Sequence, residues 1–173
     1  MSHAVARLRE VRLASLASLD KPFTPRGSHA PRCPACRVIF SHCLCALRPR
    51  VTTRAGICLI MGDIEPLKPS NTGWLIADVV PDTAAFGWSR MQVDPALLAL
   101  LADPQWAPCL VFPGEYAAPE RIYTEVPVRP GKRPLFVLLD GTWSEARKMF
   151  RKSPYLEWHL LRSHDDEVIG VSI

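Results

Sequence analysis

Residues 135–152 read LFVLLDGTWSEARKMFRK. Leu135–Leu139 is a run of five apolar residues with no polar alternation. Such a run suits a strand covered on both faces, as in a parallel sheet flanked by helices. Asp140 and Gly141 stop the run, and Gly141 permits a tight turn. Thr142 and Glu145 then form a T-x-x-E capping box. It starts a helix that runs from about Trp143 to Lys152, where Ser153-Pro154 ends it. Ligands of open α/β sheets bind beyond the carboxyl ends of the strands. Asp140 stands at that point, and Trp143 lies in the first helical turn at its rim. Asp140 and Trp143 have two readings: a cap and a core plug, or parts of a site. Arg147, Lys148, Arg151 and Lys152 make a basic face on the helix, which also complements the helix dipole.

The same grammar extends outward from this unit. Ile57–Met61 reads as a buried strand. Ser70-Asn71-Thr72 offers caps for a helix reaching about Val80, stopped by Pro81. Ala84–Trp88 reads as a short strand. Asp94-Pro95 begins a helix that continues through LLALLA, and Cys109–Phe112 is another buried strand. Strands alternate with helices, so the expected fold is α/β with a largely parallel sheet. The 17 prolines fall mostly between elements. The expected layout is a basic N-terminal segment with a cysteine knuckle (1–54), an α/β domain (55–156) and an atypical tail (157–173).

Four of the six cysteines fall between residues 33 and 45, in CPACRVIFSHCLC. Their spacing is C-x2-C-x6-C-x-C: Cys33, Cys36, Cys43, Cys45. With no secretory signal in view, the expected compartment is a reducing cytosol, where clustered thiols read as metal ligands before disulfides. Four thiolates surround zinc tetrahedrally and leave no open position, so the expected role is structural. Arg32, Arg37 and Arg48 favour the thiolate form. An iron–sulfur cluster or a redox dithiol are the competing readings, although neither standard ferredoxin spacing is matched. Cys58 and Cys109 sit in apolar runs as core thiols.

The net charge of +4 conceals an asymmetry. Residues 1–54 carry ten Lys/Arg against two acids, and residues 132–152 carry six against two. Residues 55–131 carry four against nine. Two basic segments suggest a polyanion partner. No apolar run reaches the roughly 18 residues of a membrane span. The arginines at positions 7, 9 and 12 read as a short amphipathic basic helix.

The strand–DGTW–helix unit, the cysteine cluster ahead of it and the PSNTG segment between them (69–73) occur in this order in the DTW-domain proteins. Over roughly residues 20–156 the chain resembles a bacterial member of that family, the tRNA-uridine aminocarboxypropyltransferases. The resemblance implies S-adenosylmethionine as co-substrate and transfer of its 3-amino-3-carboxypropyl group to a uridine N3 of tRNA. A SPOUT-type methyl transfer and a non-catalytic zinc-knuckle RNA-binding role are the alternatives. It also implies a fold related to the knotted SPOUT methyltransferases. Asp140 and Trp143 become the candidate catalytic residues, with Asp140 either accepting the N3 proton or holding the cofactor. Thr72, Gly73, Asp140, Thr142 and Trp143 become candidate cofactor contacts. Arg147, Lys148 and Arg151 become candidate RNA contacts.

The chain departs from the family pattern at Gly62-Asp63, where a His-Pro pair is common, and at Trp74, where an arginine follows Asn-Thr-Gly. After Leu156 the sequence EWHLLRSHDDEVIGVSI lacks the family's further strand, helix and Ser/Thr-x-Glu-Ala segment. The expectation is an incomplete pocket and knot, an inactive form, and an exposed edge on the Leu135–Leu139 strand.

Overall fold

A computed structural model of the chain describes residues 2–18, 24–25, 29–123, 125–126, 129–156 and, as backbone, 160–161. Its centre is a parallel sheet. The main strands are β1 (Gly56–Met61), β2 (Thr83–Gly87), β3 (Trp106–Val111) and β5 (Arg133–Asp140); β4 (Ile122–Tyr123) and β6 (Leu160–Leu161) are two-residue strands. The spatial order is β2-β1-β5-β3-β6-β4, and every pairing is parallel. The helices are α1 (Ala4–Ala17), α2 (Thr72–Val79), α3 (Pro95–Ala102) and α4 (Trp143–Lys152).

Side chains alternate across a strand, so a strand covered on both faces must be apolar throughout. In β1, Leu59 and Met61 pack with Val5, Trp74 and Ala77, under α1 and α2. Cys58 and Ile60 point the other way, into a core with Leu97, Leu101, Leu135, Val137 and Ala146, under α3 and α4. Cys58 and Cys109 are both buried core thiols, as expected. The helices start where their caps predict. Asn71 accepts from the Trp74 amide at 2.9 Å, and Asp94 accepts from the Ala96 amide at 2.8 Å. Thr142 and Glu145 close the capping box of α4.

Two expectations are corrected. The basic helix forms as α1, but its apolar residues do not share one face. Val5 is buried beside α2, while Val11 is 68% exposed. The strand at 135–139 has no open edge. It pairs with β1 on one side and β3 on the other, and β6 adds itself to the far side of β3. Parallel pairing on both sides satisfies its backbone whatever follows α4. The acidic run Asp165-Asp166-Glu167, with most of the tail on which the expectation of an incomplete knot rests, lies outside the described residues.

β1 begins with a close approach. A Cβ on Gly56 would stand 2.6 Å from Cη2 of Trp106 and 3.2 Å from Cδ1 of Leu135. Trp106 is itself buried, with the Arg133 guanidinium 4.6 Å from its ring centroid. Gly56→Ala should therefore cost about 1–3 kcal/mol, typical of an overpacked core. Urea unfolding should show a lower midpoint with an unchanged slope.

Candidate functional site

The connections from β1 and β5 leave in opposite directions. β1 leads through α2 to β2 on one side, and β5 leads through α4 to β6 on the other. Between their carboxyl ends lies the crevice that open α/β sheets use for ligands. Met61 and Asp140 are register partners there, and the Gly62 amide donates to the Asp140 carbonyl at 2.8 Å.

Asp140 shares the parity of Leu138, so its carboxylate faces α2 rather than α4. Asn71 Nδ2 donates to Asp140 Oδ2 at 2.8 Å, while Asn71 Oδ1 caps α2. The helix start is pressed against the acid. A Cβ on Gly73 would lie 2.5 Å from Asp140 Oδ2, so only glycine fits here. Glu65 is buried in the 3-10 turn Glu65–Leu67 and pairs with Lys68. Burial foremost, with Glu65 adding repulsion, raises Asp140 to about 6, against the opposing pull of Asn71 and Lys68. A half-buried carboxyl poised near neutrality is suited to exchanging a proton.

The other predicted residues are placed less directly. Thr142 donates its hydroxyl to Glu145 Oε2 at 2.6 Å and its amide to the same oxygen at 2.9 Å. Against burial, these two bonds hold the Glu145 carboxyl below its ordinary range. Trp143 joins an aromatic cluster on the α4 side. It stacks on Phe112 (centroids 5.6 Å apart) and meets Tyr116 edge-on at 6.0 Å, whereas the Asp140 carboxylate faces α2. Arg147 covers the exposed side of Trp143 at 5.7 Å, Lys148 lies 5.6 Å from the Trp88 ring, and Arg151 is exposed. Thr72 is the exposed first residue of α2.

The four knuckle sulfurs lie within 4.8 Å of one another. Cys33 and Cys45 are 3.6 Å apart, and Cys36 and Cys43 are 3.7 Å apart. Zinc–thiolate bonds of about 2.3 Å put tetrahedral sulfurs about 3.8 Å apart, so these residues fit a zinc ion. Amides of Cys36 and Ala35 lower the Cys33 thiol to about 6. The turn closes through the Arg37 amide donating to Cys33 O at 2.8 Å, with Arg37 at φ +63°. The knuckle is joined to the site. Trp74, 6% exposed, donates its indole N–H to Ala35 O at 3.1 Å. Arg37 stands 5.1 Å from the Trp74 ring centroid and donates to Pro66 O and Leu67 O at 3.2 and 2.9 Å. Residues 30–164 match the family model for the DTW domain.

The chain belongs to the DTW-domain family.

This family is associated with tRNA-modifying enzymes. No solved structure gives a significant match. In this DTW domain, Trp74 is a core anchor for the knuckle where the family pattern has an arginine. Sequence reasoning missed Glu65 and Lys68, which lie in a proline-rich loop without periodicity. It read Asn71 as a cap alone. The signal for its second role was the Asn-Thr-Gly motif itself, since a glycine one residue into a helix is costly unless something approaches closely.

Metal analysis of the purified DTW domain should find one zinc per chain and no iron absorbance. Cys43→Ser should release the zinc and loosen residues 32–48 while the sheet stays folded; an unchanged zinc content would remove Cys43 from the site. Asp140 also predicts a pH dependence of stability. Its folded pKa lies above its ordinary value of 3.8, so the fold binds its proton more tightly than the unfolded chain. That contribution is present below pH 4 and is lost as pH rises through about 6. Asp140→Asn should flatten the decline between pH 4 and 6, measured as unfolding free energy across that range.

Proposed function

We propose that this DTW domain is a tRNA-uridine aminocarboxypropyltransferase that uses S-adenosylmethionine as donor. The observation that carries the reading is the half-buried Asp140 at the switch point, poised near 6 and held by the capping residue of α2. Uridine N3 attacks the donor's carbon γ to the carboxylate. The C–S bond breaks, and methylthioadenosine leaves with the electron pair. The N3 proton goes to Asp140, within a site that has few other acceptors of suitable pKa. Uracil N3 is on the Watson–Crick edge, so the base has to be unpaired or extruded first.

The sulfonium already makes a good leaving group. The protein's task is therefore alignment of N3 with one donor carbon rather than the neighbouring methyl. Thr72 and Gly73, in the first turn of α2, offer backbone amides and a hydroxyl to the donor's carboxylate. Thr142, at the start of α4, borders the crevice from its other side, while Trp143 packs into the aromatic cluster beneath it. The basic face of exposed Lys148 and Arg151 and half-buried Arg147 complements phosphate. Cys33, Cys36, Cys43 and Cys45 would hold a zinc ion through four thiolates, and it would supply rigidity to the knuckle rather than chemistry.

Asp140→Ala should lower transfer by two orders of magnitude or more while leaving zinc content and secondary structure intact. Mass analysis of tRNA nucleosides after incubation with the donor reads both product and rate. An aminocarboxypropyl uridine from the wild-type protein supports the reading. A methylated nucleoside would replace it with methyl transfer, and a variant with wild-type turnover would reduce Asp140 to a structural role.

A further inference from the structure

Glu65 and Lys68 have no task in the proposed reaction, yet the fold builds them into the loop that grips Asp140. That loop is a circuit of backbone hydrogen bonds. The Gly62 amide donates to Asp140 O at 2.8 Å, and the Glu65 amide to Gly62 O at 3.1 Å. The Lys68 amide donates to Glu65 O at 3.1 Å, and the Asn71 amide to Lys68 O at 3.2 Å. Asn71 Nδ2 then returns to Asp140 Oδ2 at 2.8 Å. The circuit starts on the carbonyl of Asp140 and closes on its carboxylate, with Glu65 and Lys68 between the two contacts. A Cβ on Gly62 would lie 3.4 Å from Glu65 Cγ, which places the Glu65 side chain beside the end of β1.

Glu65 is 5% exposed, and among the described residues its carboxylate accepts only from Lys68, through Oε1. A carboxylate has acceptor sites for several donors, and leaving them unused under burial costs stability. The Lys68 ammonium gives itself to Glu65 alone and keeps donors to spare. The pair therefore offers unused capacity of both signs, side by side. A ligand with an ammonium and a carboxylate on one carbon satisfies both. We propose that Glu65 and Lys68 form the subsite for the α-amino-acid head of the donor. Glu65 takes the ammonium on its free oxygen, and Lys68 joins the first amides of α2 on the carboxylate. Holding the head in the loop that holds Asp140 fixes the carbon chain to be transferred, rather than the methyl, relative to the proton acceptor. The identity of the ligand rests on the proposed function; the zwitterion chemistry rests on the pair.

The test is calorimetric binding of two probes to the zinc-loaded full chain. S-adenosylhomocysteine carries the amino-acid head, and methylthioadenosine lacks it; both are neutral thioethers. The wild-type protein should bind S-adenosylhomocysteine about tenfold tighter or more. Glu65→Gln, which keeps the shape of the side chain, should lower that affinity about tenfold. Lys68→Met should do the same, and Lys68→Arg should keep part of the preference. Methylthioadenosine should bind all four proteins alike, which also reports that the crevice is folded. A wild-type protein that binds neither probe, or both equally, overturns the proposal. So do variants that lose both probes to the same extent, or neither. A head-dependent preference in a protein whose tRNA product is a methylated nucleoside keeps the subsite and discards aminocarboxypropyl transfer. An aminocarboxypropyl product with wild-type binding in Glu65→Gln and Lys68→Met discards the subsite alone.

Discussion

Much of this molecule follows from one contact, the hydrogen bond from Asn71 to Asp140. Asn71 uses both ends of its amide. Its oxygen caps α2, and its nitrogen holds the carboxylate. The start of a helix and the end of a strand are thereby fixed to each other at hydrogen-bond distance. Gly73 is the steric condition of that approach, because any Cβ would collide with the same carboxylate oxygen. Neutral donation from Asn71 only partly offsets burial, which leaves Asp140 titrating near 6 rather than as an ordinary carboxylate.

The metal knuckle and the crevice are linked through the loop between β1 and α2. Trp74 ties α2 to the knuckle backbone, and Arg37 ties the knuckle to the turn that carries Glu65. Arg48 adds a third tie, 2.8 Å from buried Asp78 and 3.8 Å from the Cys45 sulfur. His3 reaches the same acid at 3.2 Å, and burial lowers its pKa to about 4, so it meets Asp78 as a neutral ring. The knuckle thus bears on α2 at both of its ends. Its rigidity is transmitted by hydrogen bonds to carbonyls and by ring contacts rather than by contact with the reacting groups.

Sequence reasoning recovers the parts of the site that local chemistry specifies. Asp140 stands where an apolar run meets a turn, and the capping box fixes the start of α4. The spacing of the four cysteines marks them as a set, and their sulfurs gather where they could hold one metal ion. Glu65 and Lys68 were not legible, because a buried ion pair in an irregular loop leaves no periodic trace. The side to which Trp143 turns was not legible either. A residue in the first turn of a helix can face the crevice or the sheet, and packing against Phe112 and Tyr116 decides the matter.

The sequence by itself determined the α/β class, the four main strands, the helix starts and the cysteine cluster that could hold a metal. Each of these depends on neighbours a few residues apart, through side-chain periodicity, capping and ligand spacing. Only the tertiary structure decided that β5 lies between β1 and β3, and so that Asp140 ends the strand beside the switch point. It alone decided that α1 packs on the turn Glu65–Leu67, with Arg12 paired to Asp63. Those placements join residues 27 to about 80 positions apart. The chain encodes them only through the burial of complementary faces, which no short stretch can display.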